Sequence, residues 1–151
     1  MKAHRSVMSP EMNSQSGMSL IEILIVITLI AVAGSFVATK VFDRMQEGNQ
    51  MAAKAQMNGL KTMMEDYRRY CNQYPTTDQN LEALAVKPTS GPECPNYPAS
   101  AFLPDGRVPK DPWGNPYQYE SDGKKFVIIS YGQDGKPEGD GFGKDIRSDE
   151  P

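Results

Sequence analysis

The chain has 151 residues, a formal net charge of −3, one histidine and two cysteines. With a polar leader and an apolar segment set aside, roughly 100 residues remain, enough for one small domain. Basic residues are scattered rather than striped, which argues against nucleic-acid binding. His4 lies in the leader, so neither a Ser-His-Asp triad nor a His-rich zinc site can be assembled from the rest.

After seventeen mostly polar residues the stretch from Met18 to Val41 is apolar, with Glu22 and Lys40 as its only charges. At about 1.5 Å per helical residue it is long enough for a hydrocarbon core of ~30 Å. Three readings compete. A signal peptide would use Lys2 and Arg5 and be cut after Ala31-Val32-Ala33, but its charged region is dilute and an acid hinders insertion. A plain membrane anchor leaves Glu22 unpaired in lipid, at about 2.5–3.5 kcal/mol. In the third, the chain is cut after Gly17 and Glu22 becomes the fifth residue of the mature protein.

"SGMSLIEILIVITLIAVA" resembles the class III signal of type IV pilins and pseudopilins. That resemblance implies cleavage after Gly17 by a prepilin peptidase, methylation of the new N-terminus at Met18, and an assembly role for Glu22. Met18 stands where the family usually has phenylalanine. A buried acid is stabilised by a partner, and the exposed amine of a neighbouring subunit is one.

The helix is predicted to run on to about Tyr70, with Leu60, Met64, Tyr67 and Cys71 on one face for packing against a domain. Gly34, Gly48 and Gly59 each weaken it by about 1 kcal/mol relative to alanine. Thr39 occupies the place where related pilins often carry a proline. Met51, Met57, Met63 and Met64 read as packing rather than metal ligands. A short helix is expected in "YPTTDQNLEALAVKP", capped by Thr76 with Gln79 in capping-box spacing, apolar at Leu81, Leu84 and Ala85, and stopped by Pro88.

A loop rich in Pro, Gly, Ser and Asn follows, between Pro88 and Pro112, and contains Cys94. In an oxidising compartment Cys71 and Cys94 are a candidate disulfide; without a C-x-x-C motif, a structural staple is favoured over a catalytic thiol. Trp113, the sole tryptophan, is expected to anchor the core. Gly114-Asn115-Pro116 should turn into a strand from Tyr117 to Glu120, and Ser121-Asp122-Gly123-Lys124 into the partner strand "KFVIISYG". So small an antiparallel sheet needs the Leu60 face of the helix for support.

The tail "DGKPEGDGFGKDI" sets Asp134, Asp140 and Asp145 in a glycine-rich loop. Carboxylates and carbonyls are what calcium requires, although an acidic Gly loop alone is equally compatible with plain solvation and does not fit the EF-hand pattern. The order "YPTTDQNLEALAVKP", "PKDPWGNPYQY", "SYGQDGKPEGDGFGKDI" is similar to the major pseudopilins of type II secretion systems, the general secretion pathway protein G family. The resemblance implies structural calcium held by Asp134, Asp140, Asp145 and the Tyr131 carbonyl; Phe142 and Gly143 stand where the family often has a further acid or Asn.

The expected architecture is α+β and pilin-like. A long N-terminal helix, half transmembrane and half amphipathic, packs on a small antiparallel sheet with a C-terminal calcium-binding loop. The expected organisation is a leader at 1–17, a membrane or fibre-core helix at 18–41 and a periplasmic domain at 42–151. The implied role is a non-enzymatic inner-membrane subunit that polymerises into a periplasmic fibre driving export through an outer-membrane secretin. Implied partners are other copies of itself, minor pseudopilins, prepilin peptidase, an inner-membrane assembly platform and the membrane, with no nucleic acid. A type IV pilin of a surface fibre and a signal-peptide-bearing secreted domain are the alternatives.

Overall fold

The computed structural model describes residues 17–150. The expected leader lies outside these residues except for Gly17, which is exposed at the start of the described chain. One helix, α1, runs over Leu20–Cys71, and the chain divides into two compact units at Lys40/Val41.

In the first unit every described side chain is exposed, as expected of an apolar helix with no partner of its own. An 18-residue window reaches a mean hydropathy of 2.6, so this is a helix long and apolar enough to cross a membrane. Its hydroxyls are satisfied locally: Thr28 Oγ1 donates to the Ile25 carbonyl at 2.8 Å, Ser35 to Val32 at 2.7 Å and Thr39 to Phe36 at 3.0 Å. Such back-bonding lets a polar side chain sit in apolar surroundings without an unmet hydrogen bond.

In the second unit α1 buries Gln46, Ala53, Met57, Leu60, Met64, Tyr67 and Cys71. These positions recur at three- and four-residue spacing, so they form one stripe of the helix. Met63 packs against this core, whereas Met51, expected to pack as well, is 68% exposed. The helix stops where Asn72 takes a left-handed conformation, φ 63°, a conformation common just past helix ends.

Three antiparallel strands follow: β1 (Gln118–Ser121), β2 (Phe126–Ser130) and β3 (Ile146–Arg147), in the order β1-β2-β3. The hairpin pairs Ser121 with Phe126 and Gln118 with Ile129. Asp122 Oδ1 closes its turn by accepting from the amides of Lys124 and Lys125, both at 2.8 Å. Tyr119 and Ile128 from the sheet join Leu60, Met64 and Tyr67 of the helix in one core.

Two further features depart from what the sequence predicts. The short helix does not start at Thr76; it is a 3-10 turn over Leu81–Leu84 with Asn80 as its cap, Asn80 Oδ1 accepting from the Leu81 amide. Thr76 is drawn into a bridge with Asp122, so a long-range pairing overrides a local cap. The Gln79 side chain still reaches back to the Thr76 amide at 3.0 Å, as in the expected box, and also donates to the Ser90 and Pro92 carbonyls. The second is β3, a two-residue strand absent from the sequence reading.

Candidate functional site

Two regions carry the chemistry singled out in the sequence. The first is the start of α1. Gly17 and Met18 precede the helix in non-helical backbone, and Met18 is 70% exposed. A side chain added at Gly17 would meet nothing within 4 Å among the described residues. Glu22 lies in the first turn of α1 and is exposed. A carboxylate there is favoured by the positive end of the helix dipole.

The second region is the loop between β2 and β3. Two 3-10 turns, Gly132–Asp134 and Gly141–Gly143, pack against each other. Tyr131 immediately precedes the first and Asp140 the second, the Asp140 carbonyl accepting from the Gly143 amide at 3.0 Å. Asp134 Oδ1 accepts from the Lys136 amide and Asp145 Oδ2 from the Glu138 amide. Asp145 Oδ1 is buried with no hydrogen-bond partner, a costly arrangement for a carboxylate oxygen unless something else meets it.

Glycine makes the enclosure possible. A Cβ at Gly139 would collide with the Gly143 carbonyl, and one at Gly143 would sit 3.0 Å from Asp134 Oδ2. At Gly132, where φ is +65°, it would press on the Phe142 and Lys144 carbonyls at 2.9 and 3.0 Å. Carboxylate and carbonyl oxygens thus crowd a space that only glycines leave open, a donor set suited to a hard cation. Among the described residues no three His, Cys, Asp or Glu side chains converge as a metal-holding group. Asp145 reaches the Glu138 amide, Asp134 Oδ2 borders Gly139 and Gly143, and Asp140 does not complete a triad with them.

In the turn beside this loop the sequence points to Gly114-Asn115-Pro116 and Trp113, but not to Asp111, which holds the turn together. Asp111 is only 4% exposed. Its Oδ1 accepts from the amides of Trp113 (3.1 Å) and Asn115 (2.7 Å), and its Oδ2 from Ser130 Oγ (2.6 Å). Burial, reinforced by the nearby Asp111 charge, pushes the Tyr117 hydroxyl to a higher pKa. Trp113, expected in the core, is half-buried at its edge, and its Nε1 donates to Gln46 Oε1 at 2.7 Å. An Asp followed by Pro-Trp-Gly-Asn is the signal for this role of Asp111, since such an acid often accepts from amides two residues on.

Cys71 and Cys94 are joined, with Cα atoms 4.6 Å apart. The bond ties the end of α1 to the loop that covers the Leu81–Leu84 turn. Tyr97 and Phe102 from that loop stack on Tyr67, edge-on and tilted respectively.

A glycine followed by an apolar helix with a carboxylate in its first turn, leading into a helix packed on a small antiparallel sheet, defines a pilin-like subunit. Residues 12–38 match the prokaryotic N-terminal methylation motif, and residues 40–149 match the model of type II secretion system (T2SS), protein G. The chain belongs to the type II secretion system protein G family, a family of structural pseudopilins. It is 38% identical over 138 residues to the type II secretion system core protein G of Vibrio cholerae, covering 90% of this chain and 92% of that one. The core protein G of Pseudomonas aeruginosa is 37% identical over 134 residues, covering 87% and 93%. The crystal structure of the major pseudopilin from the type 2 secretion system of enterohaemorrhagic Escherichia coli superposes with a TM-score of 0.60 at 33% identity, over 69% of this chain and 89% of that one.

Proposed function

We propose that this chain is the repeating subunit of a type II secretion pseudopilus. Prepilin peptidase cuts between Gly17 and Met18 and methylates the new amine. The subunit waits in the inner membrane through its apolar helix, with the domain at 42–151 in the periplasm. It then leaves the bilayer at an assembly platform, powered by a cytoplasmic ATPase, and joins a fibre tipped by minor pseudopilins that drives folded proteins through the secretin. The observation that carries this reading is the family match across residues 40–149, which a surface pilin sharing only the N-terminal signal would not give.

The exposed helix supports the polymer reading physically. Its apolar side chains are exposed among the described residues, a surface that lipid or other subunits would cover. Glu22 would pair with the amine of Met18 on the neighbouring copy and so select the register. Intact-mass analysis of the membrane form tests the processing step: the expected chain begins at N-methylated Met18, and any other start overturns it. Deleting the gene should block secretion and leave surface fibres in place.

Calcium is proposed for the 131–145 loop, held by Asp134, Asp145 and surrounding carbonyls, with Asp140 and the Tyr131 carbonyl as the remaining donors. The partnerless Asp145 Oδ1 and the glycine-lined enclosure favour it. The ion would neutralise carboxylates held close together and fix a loop poor in regular structure. Chelation should lower the Tm of the protein and calcium should restore it; an unchanged Tm removes the proposal.

A further inference from the structure

The turn at 111–115 touches both the acidic loop and α1, and its contacts form one connected set. On the loop side, Asn115 Nδ2 donates to the Gly132 carbonyl at 3.2 Å. Ser130 Oγ, donating to Asp111, accepts in turn from the Gly132 amide at 3.3 Å. Gly135 lies so close that a Cβ there would stand 3.1 Å from both polar atoms of the Asn115 side chain. Thus both polar groups of the Gly132 backbone, and the surface of Gly135, are set by this turn.

On the helix side, the Trp113 indole donates to Gln46. Gln46 is only 6% exposed on an otherwise apolar buried stripe, and a buried amide without its hydrogen bond is destabilising. The two sides are joined at Asp111 Oδ1, which accepts from the amides of both Trp113 and Asn115.

We infer that the Asp111–Asn115 turn is a relay through which the state of the acidic loop fixes α1 at Gln46, with Asn115 and Trp113 as positioning residues. The calcium arm of this inference rests on the loop reading given above. A cation drawing in Asp134 and the carbonyls around it acts on the segment 132–135, and Asn115 grips that segment. The relay transmits the change to the indole and hence to α1. Coupling of this kind is reciprocal: the helix contact must also act on cation affinity.

Trp113 is the only tryptophan in the chain, so its emission reports the relay directly. The test uses the full mature chain in detergent, with calcium alone as the probe and calorimetry as the independent measure of binding. The expected result is a saturable shift in tryptophan emission that tracks binding. Asn115→Ala should bind calcium but lose the shift. Gln46→Ala, which does not touch the loop, should bind calcium about fivefold more weakly, the lower end of usual site-to-site coupling. Calcium binding with unchanged wild-type emission, or a full shift in Asn115→Ala, overturns the relay and leaves the loop reading intact.

If calorimetry detects no calcium, the loop reading fails and the relay is decided without metal. Gly135→Ala presses a methyl group onto Asn115. In that variant, with circular dichroism confirming the fold, acrylamide should quench Trp113 more strongly than in the parent chain. Equal quenching overturns the relay.

Discussion

Glu22 puts a charge into the first turn of a helix whose described side chains are exposed from Gly17 to Met45. Among the described residues only the helix dipole favours the acid, and under the fibre reading a neighbour's free amine would pair with it, since a buried charge is tolerated once paired. Glu22→Ala should therefore leave the Tm of the domain unchanged while fibre assembly fails, because breaking a buried pair costs about 3–5 kcal/mol for each subunit added. Fibre yield after shearing, with mature mass as the control for processing, is the measurement; normal yield would remove the assembly role. Glu22 stands out in the sequence because a charge in an apolar run is conspicuous. Gln46 does not, because its meaning depends on Trp113, 67 positions away.

At the scale of elements, α1 was readable because its buried stripe repeats at helical spacing over many turns. The hairpin was readable from Asp122-Gly123 between two β-prone runs. The 3-10 turn at Leu81–Leu84 was misplaced because Thr76 serves a bridge to Asp122, and β3 is too short to carry any period. The Cys71–Cys94 bond joins two such elements, the readable helix and the irregular loop, 23 positions apart in sequence. Replacing both cysteines by serine should destabilise the domain by about 3 kcal/mol on the loop-entropy model, or roughly 15 °C in Tm. Limited proteolysis should then cut first between Pro88 and Pro112, where few backbone hydrogen bonds hold the chain. An unchanged Tm would mean that the aromatic contacts of Tyr97 and Phe102 with Tyr67 suffice.

For the molecule as a whole, the domain core depends on tyrosines that stay neutral. Tyr119 is buried, donates to the Pro75 carbonyl at 2.8 Å, and burial lifts its pKa from 10.0 to about 12. Tyr117 shifts the same way and donates to Gln56 Oε1 at 2.6 Å. Each hydroxyl links the sheet side of the core to the helix or to the segment after it, so ionising either one breaks a contact between elements. In the unfolded chain both ionise near their ordinary value of 10.0, whereas the fold holds their protons. The folded state therefore binds more protons than the unfolded state above pH 10, and stability falls as pH rises. The stability from Tyr119 is fully present below pH 10.0 and is lost as pH rises through about 12. An alkaline titration followed by far-ultraviolet circular dichroism and tyrosinate absorbance should show tyrosinate appearing in more than one phase. A later phase should coincide with unfolding. Substituting phenylalanine for Tyr119 should shrink that later phase, at the cost of leaving the Pro75 carbonyl without its donor. Smooth ionisation of every tyrosine ahead of unfolding would show that the core does not hold these protons.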